Sequence, residues 1–401
     1  MAQSASTSGA HALIFGASGL AGWGVVDQLL SNYPAQGTFS RVTALINRPF
    51  SVAESYWPGA SLSRPELQLV SHVNLLKGSI EDLTAFLKRE IGNIGNVTHA
   101  FYFAYKQDQE MDLETKVNRE MIERAIGALD ALSPNLKFVA FPSGTRGYGI
   151  HIPGGVFKAP FMESMGRLPD PIASNVFCFA HQDALEQMSK GREWTWCEVR
   201  PDAIIGFVPN GSTFNLLAHW ATWLSLYALV EGKGAKVPFP GTAKGYNALF
   251  NDASADIIAK FSIWASLHPE KCGGGQLFNI ADQARPSRMS ERWPAIAKYF
   301  GLEGVGPDVD GKGALKPGEY IEKHKQVLEE WGGKGSRVFR AEALDEYGYH
   351  YTFDRHMSVE KARKVGFEEE IEPETSWFKA FDRLRFAGMI PGREIPGQYD
   401  I

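Results

Sequence analysis

HALIFGASGLAG, residues 11–22, decides the fold. Its first five residues are mostly apolar and glycines follow at once, the pattern of a short strand buried on both faces of a sheet. Gly16, Gly19 and Gly22 fall at every third position, and the next stretch, AGWGVVDQLLSNY, places Val25, Val26, Leu29 and Leu30 on one helical face. A strand that turns on glycines into a helix lets a pyrophosphate approach the backbone. It also turns free N–H groups and the positive end of the helix dipole towards the phosphates. The stretch therefore predicts a dinucleotide site at Gly16, Ser18, Gly19, Leu20 and Ala21.

Outward from this turn, strand and helix patterns alternate. VTALIN (42–47), LQLVSHVNLL (67–76), THAFYFAY (98–105), LKFVAFPS (136–143) and WTWCEVRP (194–201) read as strands. Leu113, Val117, Met121, Ala125 and Leu129 recur every four residues, Ile122 and Ile126 widen the stripe, and together they predict a helix over 112–132. Such alternation predicts an α/β fold, a Rossmann-type doubly wound parallel sheet. After Pro201, glycine and proline punctuate the chain, QLFNIAD (276–282) reads as a strand returning to the sheet, and the rest looks mainly helical. The expected division is a disordered tail at 1–10, a nucleotide-binding Rossmann domain at 11–205, and a mainly helical substrate-covering part at 206–401.

The 401 residues are 44% hydrophobic and 22% charged, ordinary for a globular protein. Lys+Arg 41 against Asp+Glu 46 leaves a net charge of -5, a poor match to a nucleic-acid binder, which would show basic clustering. Cys178, Cys197 and Cys272 have neither disulfide-framework nor metal spacing, so no metal site is expected. MAQSASTSGA at the start has no basic or apolar segment of a signal peptide. The uncharged stretch 214–230 falls short of the ~20 residues a membrane span needs and reads as a buried helix. These features predict a cytoplasmic protein without membrane attachment. In that stretch Trp220, Trp223 and Tyr227 share one helix face, fitting either an apolar ligand or plain packing.

The second strand ends in Asn47-Arg48-Pro49, where a carboxylate would bond the ribose 2′-hydroxyl of NAD. Arg48 instead suits a 2′-phosphate, so NADP(H) is expected; the alternative is a solvated surface arginine. Tyr102 and Lys106 have the spacing of a short-chain dehydrogenase pair, but at a strand end i and i+4 do not form a helical pair.

The glycine turn GASGLAG, INRP (46–49), GSIEDL (78–83), THAFYFAY, PSGTRGYG (142–149), NVFCFAHQD (175–183), EVRPDAIIGFVP (198–209) and FNIADQ (278–283) together resemble the progesterone 5β-reductase/iridoid synthase-like (PRISE) enzymes. The match runs over residues 11 to 300, and the chain looks most like the fungal members found in secondary-metabolite pathways. The resemblance implies NADPH-dependent reduction of a C=C bond conjugated to a carbonyl, with a tyrosine polarising the carbonyl oxygen and a lysine assisting. It implies that Ser79 and Ile80 touch the adenine. In this chain the lysine position carries Arg146, and the tyrosine position falls at Cys178 or Phe179. Arginine supplies fixed charge but no neutral acid–base group. His181, Tyr148 and Cys178 are the candidate replacements for the phenol, each with a packing role as its alternative.

Ligands bind at the carboxyl ends of strands in open sheets, which places the nicotinamide end against Pro142 to Tyr148, the helix starting near Asn175, and Pro201 to Ile204. The leading functional reading is a reductase of a conjugated carbonyl in an apolar small molecule. A non-redox isomerase, cyclase or rearrangement catalyst is the first alternative, and a nucleotide-sensing regulatory protein the second. A homodimer is compatible with all three.

Overall fold

Side chains of β1 (Ala10–Phe15) alternate between two cores: Ala12 and Ile14 enter one apolar cluster, Leu13 and Phe15 the other, and all four are fully buried. That double burial is what a parallel strand covered on both faces requires. The structure, a computed structural model, describes residues 9–212, 215–308, 315–332 and 342–391. Residues 1–8 of the expected tail, and Phe214 of the apolar stretch, lie outside that set, while Ala10 already belongs to β1.

The other strands of its sheet are β2 (Phe39–Leu45), β3 (Glu66–Val70), β4 (His99–Tyr102), β5 (Phe138–Pro142), β6 (Thr195–Arg200) and β7 (Gln276–Asn279). They form one parallel sheet in the order β7-β6-β5-β4-β1-β2-β3. The chain is a Rossmann-type α/β protein. Strands β3, β4 and β7 stop at least three residues earlier than their sequence patterns suggest. Beyond Val70 the backbone turns left-handed at His72 (φ 65), and the stretch after Tyr102 leaves the sheet as a loop.

Helices α1 (Leu20–Leu30), α2 (Ile80–Glu90), α3 (Met111–Leu132), α4 (Phe177–Ser189), α5 (Leu216–Glu231), α6 (Ala255–Ser266) and α7 (Pro373–Phe386) surround the sheet. Apolar side chains of α1 and α6 pack on one face, and those of α2, α3 and α4 on the other. Ser254 caps α6 and Asn215 caps α5 by accepting backbone N–H bonds. The expected boundary at residue 205 is therefore not a structural seam: α6 lies beyond it and yet covers the sheet beside α1. Near the chain's end, Arg383 on α7 bridges Asp27 of α1 (2.7 Å) and Asp256 of α6 (3.2 Å), and its guanidinium lies 4.8 Å from the centre of the Trp23 ring.

No helix among the described residues is long and apolar enough to cross a membrane. The Trp220/Trp223 face of α5 is core. Trp220 is fully buried against Trp293, Phe239, Tyr347 and Trp377, and Trp223 stacks on Trp293 at 5.8 Å. Each large side chain sealed this way contributes about 1.5–3 kcal/mol from burial. The packing alternative for this face is the one observed.

Candidate active site

The glycine turn has the backbone geometry a dinucleotide needs. Gly16 is left-handed (φ +76), and a Cβ there would lie 2.6 Å from the backbone of Phe103 and Ala104 just beyond β4. A Cβ on Gly22 would sit 2.3 Å from the Gly16 carbonyl oxygen, so the strand–helix crossing closes only without side chains. Gly19 stands at the N-cap of α1 and offers no side-chain cap, so the first-turn N–H groups have no capping side chain from that position. Ser18 and Gly19 are half-buried at this mouth, and Leu20 and Ala21 anchor the helix in the core. The turn fits a phosphate-bearing dinucleotide.

Asn47, Arg48 and Pro49 are exposed just past β2, on the same carboxyl edge. Ser79 caps α2 and forms a capping box with Asp82, so its hydroxyl accepts the Asp82 N–H, while Ile80 is 39% exposed. Pro201 is buried and Ile204 half-buried beyond β6.

Three of the expected phenol replacements are sealed in. Tyr148 is fully buried, stacks on Phe161, lies under the Arg200 guanidinium, and donates its hydroxyl to Asn279 Oδ1 at 2.7 Å. Burial pushes its pKa up to about 12. It does not face the cleft. Cys178 is buried, and desolvation, followed by the nearby Glu198 charge, pushes its thiol up to about 12. Both keep their protons at neutral pH, and it is burial that keeps them from a ligand. His181 is buried among the rings of Tyr102, Phe141 and Phe177, its Nε2–H donates to the Asn118 carbonyl at 3.1 Å, and burial lowers its pKa to about 4. The expected near-neutral titration is thus removed by desolvation. Phe179 is buried with Arg167 4.8 Å from its ring centre. The helix carrying these residues starts at Phe177, after a short turn at Ala173–Asn175.

His181 gives a stability prediction. Its folded pKa lies below the unfolded value, so the neutral ring's contribution is complete above pH 6.5 and is lost as pH falls towards about 4. Asp282, buried and raised to about 6, works the other way, which is why a difference measurement is needed. The urea midpoint of wild type relative to His181→Gln is expected to fall between pH about 7 and pH about 4.5. Parallel profiles for the two proteins would refute it.

Arg146 is placed differently. It lies in a short turn at Thr145–Tyr148 after β5, and its Nη1 pairs with Glu114 Oε2 at 2.8 Å. The Arg146 side chain is 31% exposed and that of Glu114 only 1%. Tyr105, just beyond β4, donates its hydroxyl to Glu114 Oε1, and the Arg146 charge nearby opposes part of the pKa rise that burial and this bond cause. Its ring packs 4.8 Å from that of Phe177. Burial first, then the Glu114 carboxylate, raises the Tyr105 pKa, so the phenol keeps its proton. His151 is half-buried in the field of Arg146 and Glu114, and neither ring nitrogen has a hydrogen-bond partner among the described residues. Sequence reasoning named Arg146 but missed Tyr105, Glu114 and His151. THAFYFAY showed only a strand, and nothing local marks a glutamate near a helix start as buried.

Beneath this turn, Glu198 and Arg200 at the end of β6 form a buried ion pair, with Arg200 Nε and Nη2 at 3.0 and 2.7 Å from Glu198 Oε1. Ser143 and Gln182 both donate to Glu198. Asp202 accepts from Thr145 at 2.7 Å and from Arg355 at 2.8 Å, tying the Arg146 turn to the C-terminal part. No group of three metal-ligating side chains occurs among the described residues.

A family model for the PRISE-like Rossmann-fold domain matches residues 12–391, well past the residue 300 at which the sequence resemblance ended. The chain belongs to the PRISE family. The "Short chain dehydrogenase ausT" of Aspergillus calidoustus is 33% identical over 96% of this chain and 95% of its own length. The "3-oxo-Delta(4,5)-steroid 5-beta-reductase" of Arabidopsis thaliana is 25% identical over 76% of this chain and 77% of its own. The solved UDP-glucose 4-epimerase of Thermus thermophilus in complex with NAD shares the fold, with a TM-score of 0.56 at 15% identity, covering 94% of this chain and 99% of that one. Among PRISE-family relatives named as dehydrogenases and reductases, this chain is an oxidoreductase-type short-chain dehydrogenase/reductase homologue with a nicotinamide-cofactor fold.

Proposed function

We propose that this PRISE-family chain is an NADP(H)-dependent enzyme of fungal natural-product biosynthesis that reduces the conjugated carbonyl system of an apolar small molecule. The observation that carries the reading is the shared carboxyl edge: a Cβ on Gly16 would lie 2.6 Å from the backbone of Phe103 and Ala104, and Tyr105, the next residue, is linked to Arg146 through Glu114. A phosphate cradle and a partly exposed cation thus lie along one edge of the sheet, an arrangement that can put a carbonyl oxygen near positive charge. When bound, the dinucleotide supplies a hydride. This chain's residues hold its phosphates from Gly16 to Ala21, take the 2′-phosphate at Arg48, and set Arg146 where negative charge develops on the substrate oxygen. A cytoplasmic location belongs to the same proposal.

The cofactor half is tested with Arg48→Glu. A carboxylate would face the extra phosphate, so NADPH affinity is expected to fall at least ~10-fold and NADH affinity less than ~2-fold. Equal changes for both would refute the assignment. The reaction half is tested by mixing the protein with NADPH and a panel of cyclic enones and following NADPH absorbance. A second reading, a non-redox isomerase or cyclase, draws support from the sealed Cys178 and Phe179, neither of which supplies a phenol. Tight NADPH binding without oxidation by any enone would favour it.

A further inference from the structure

We propose that Tyr105 is the hydroxyl that meets the substrate's carbonyl oxygen, replacing the phenol absent from positions 178 and 179. The inference rests on the reductase reading above and names the donor it lacks. Tyr105 comes from the exit of β4, the strand that adjoins β1, and Ala104 beside it touches the glycine turn. Its ring lies 4.8 Å from Phe177, the first residue of α4, so a phenol stands against the segment from which the family resemblance expects one. The cation is also in place. Arg146, at the position the resemblance gives to lysine, pairs with the same Glu114 carboxylate that accepts the Tyr105 hydroxyl, and neutralises it.

Glu114 is sealed, while Tyr105 and Arg146 both remain partly exposed. The loop bearing Tyr105 is held to α3 by Asn118, which accepts from the Lys106 N–H at 3.0 Å and donates to the Lys106 carbonyl at 2.7 Å. The position of the phenol is therefore fixed before any ligand arrives.

The chemistry balances without proton loss from the tyrosine. Bound NADPH would supply a hydride, its nicotinamide C–H bond breaking as a C–H bond forms at the β-carbon, and the C=C electron pair would shift to make an enolate. The growing charge on oxygen draws the Tyr105 O–H away from Glu114, whose own attraction Arg146 weakens. Water then protonates the α-carbon, leaving hydroxide to the buffer, and NADP⁺ remains.

Tyr105→Phe removes the hydroxyl and keeps the ring on Phe177. With cyclohexenone, kcat is expected to fall about 100-fold, with the NADPH Kd unchanged within about twofold, the scale of losing one oxyanion donor. A second readout needs no turnover: the infrared carbonyl stretch of carbon-13 cyclohexanone bound with NADP⁺ should shift to lower frequency in wild type and return in Tyr105→Phe. Wild-type kcat in the variant overturns the assignment. If wild type oxidises NADPH with no enone, the reductase reading fails and the ketone measurement alone decides. An unshifted stretch, an equal shift in both proteins, or no ketone binding then overturns the role of Tyr105.

Discussion

Glu198→Ala is expected to lower the unfolding free energy by about 3–5 kcal/mol, because it strands a buried guanidinium. Arg200 is 1% exposed and takes its ionic contact from Glu198, while Ser143 and Gln182 also direct their donors there. Against a total stability of about 5–15 kcal/mol, that loss is a large share. The pair itself need not be net stabilising; removing one partner is what costs. The double variant Glu198→Ala/Arg200→Met should therefore recover much of the loss. Urea unfolding of both proteins checks this, and a loss under ~1 kcal/mol for the single variant would contradict it.

Gly22→Val is expected to weaken nucleotide binding more than about 100-fold, because a Cβ has no room beneath the phosphate turn. The nearest atom would be the Gly16 carbonyl oxygen at 2.3 Å, which is backbone and cannot rotate aside as a side chain would. The turn must open, and the N–H groups of α1 then lose their common aim. Gly59→Ala is the matched control, since a Cβ there meets nothing within 4 Å. Titration of NADPH fluorescence measures binding, and far-ultraviolet circular dichroism confirms that the sheet persists. Unchanged affinity in a folded Gly22→Val protein would remove the glycine turn from the site.

The sheet was legible in the sequence because its signals are local. Each strand is a short apolar run, and Gly16 and Gly22 obey steric rules that act within a few residues. The family followed from several such segments together. The site was less legible because its contacts are long-range. The stripe on α3 shows why. Leu113 reads as its first apolar residue, yet it is 42% exposed, and Glu114 and Asn118 are turned inward instead. A buried carboxylate breaks the apolar period, and only the arrival of Arg146 from β5 and Tyr105 from β4 makes that burial tolerable. Tyr148 misled for the opposite reason. Its place in the PSGTRGYG segment suggests the cleft, but Asn279 on β7, far along the chain, accepts its hydroxyl.

The bridge from Arg383 to Asp27 joins residues 356 positions apart. The nucleotide turn and the helix behind it are synthesised long before the guanidinium that settles Asp27. Until residue 383 is made, the first strand–helix unit cannot form this contact. Completion of the cofactor half is thus timed by α7 rather than by α1. A nascent chain halted before residue 383 carries every glycine of the turn and still lacks the contact that fastens its helix.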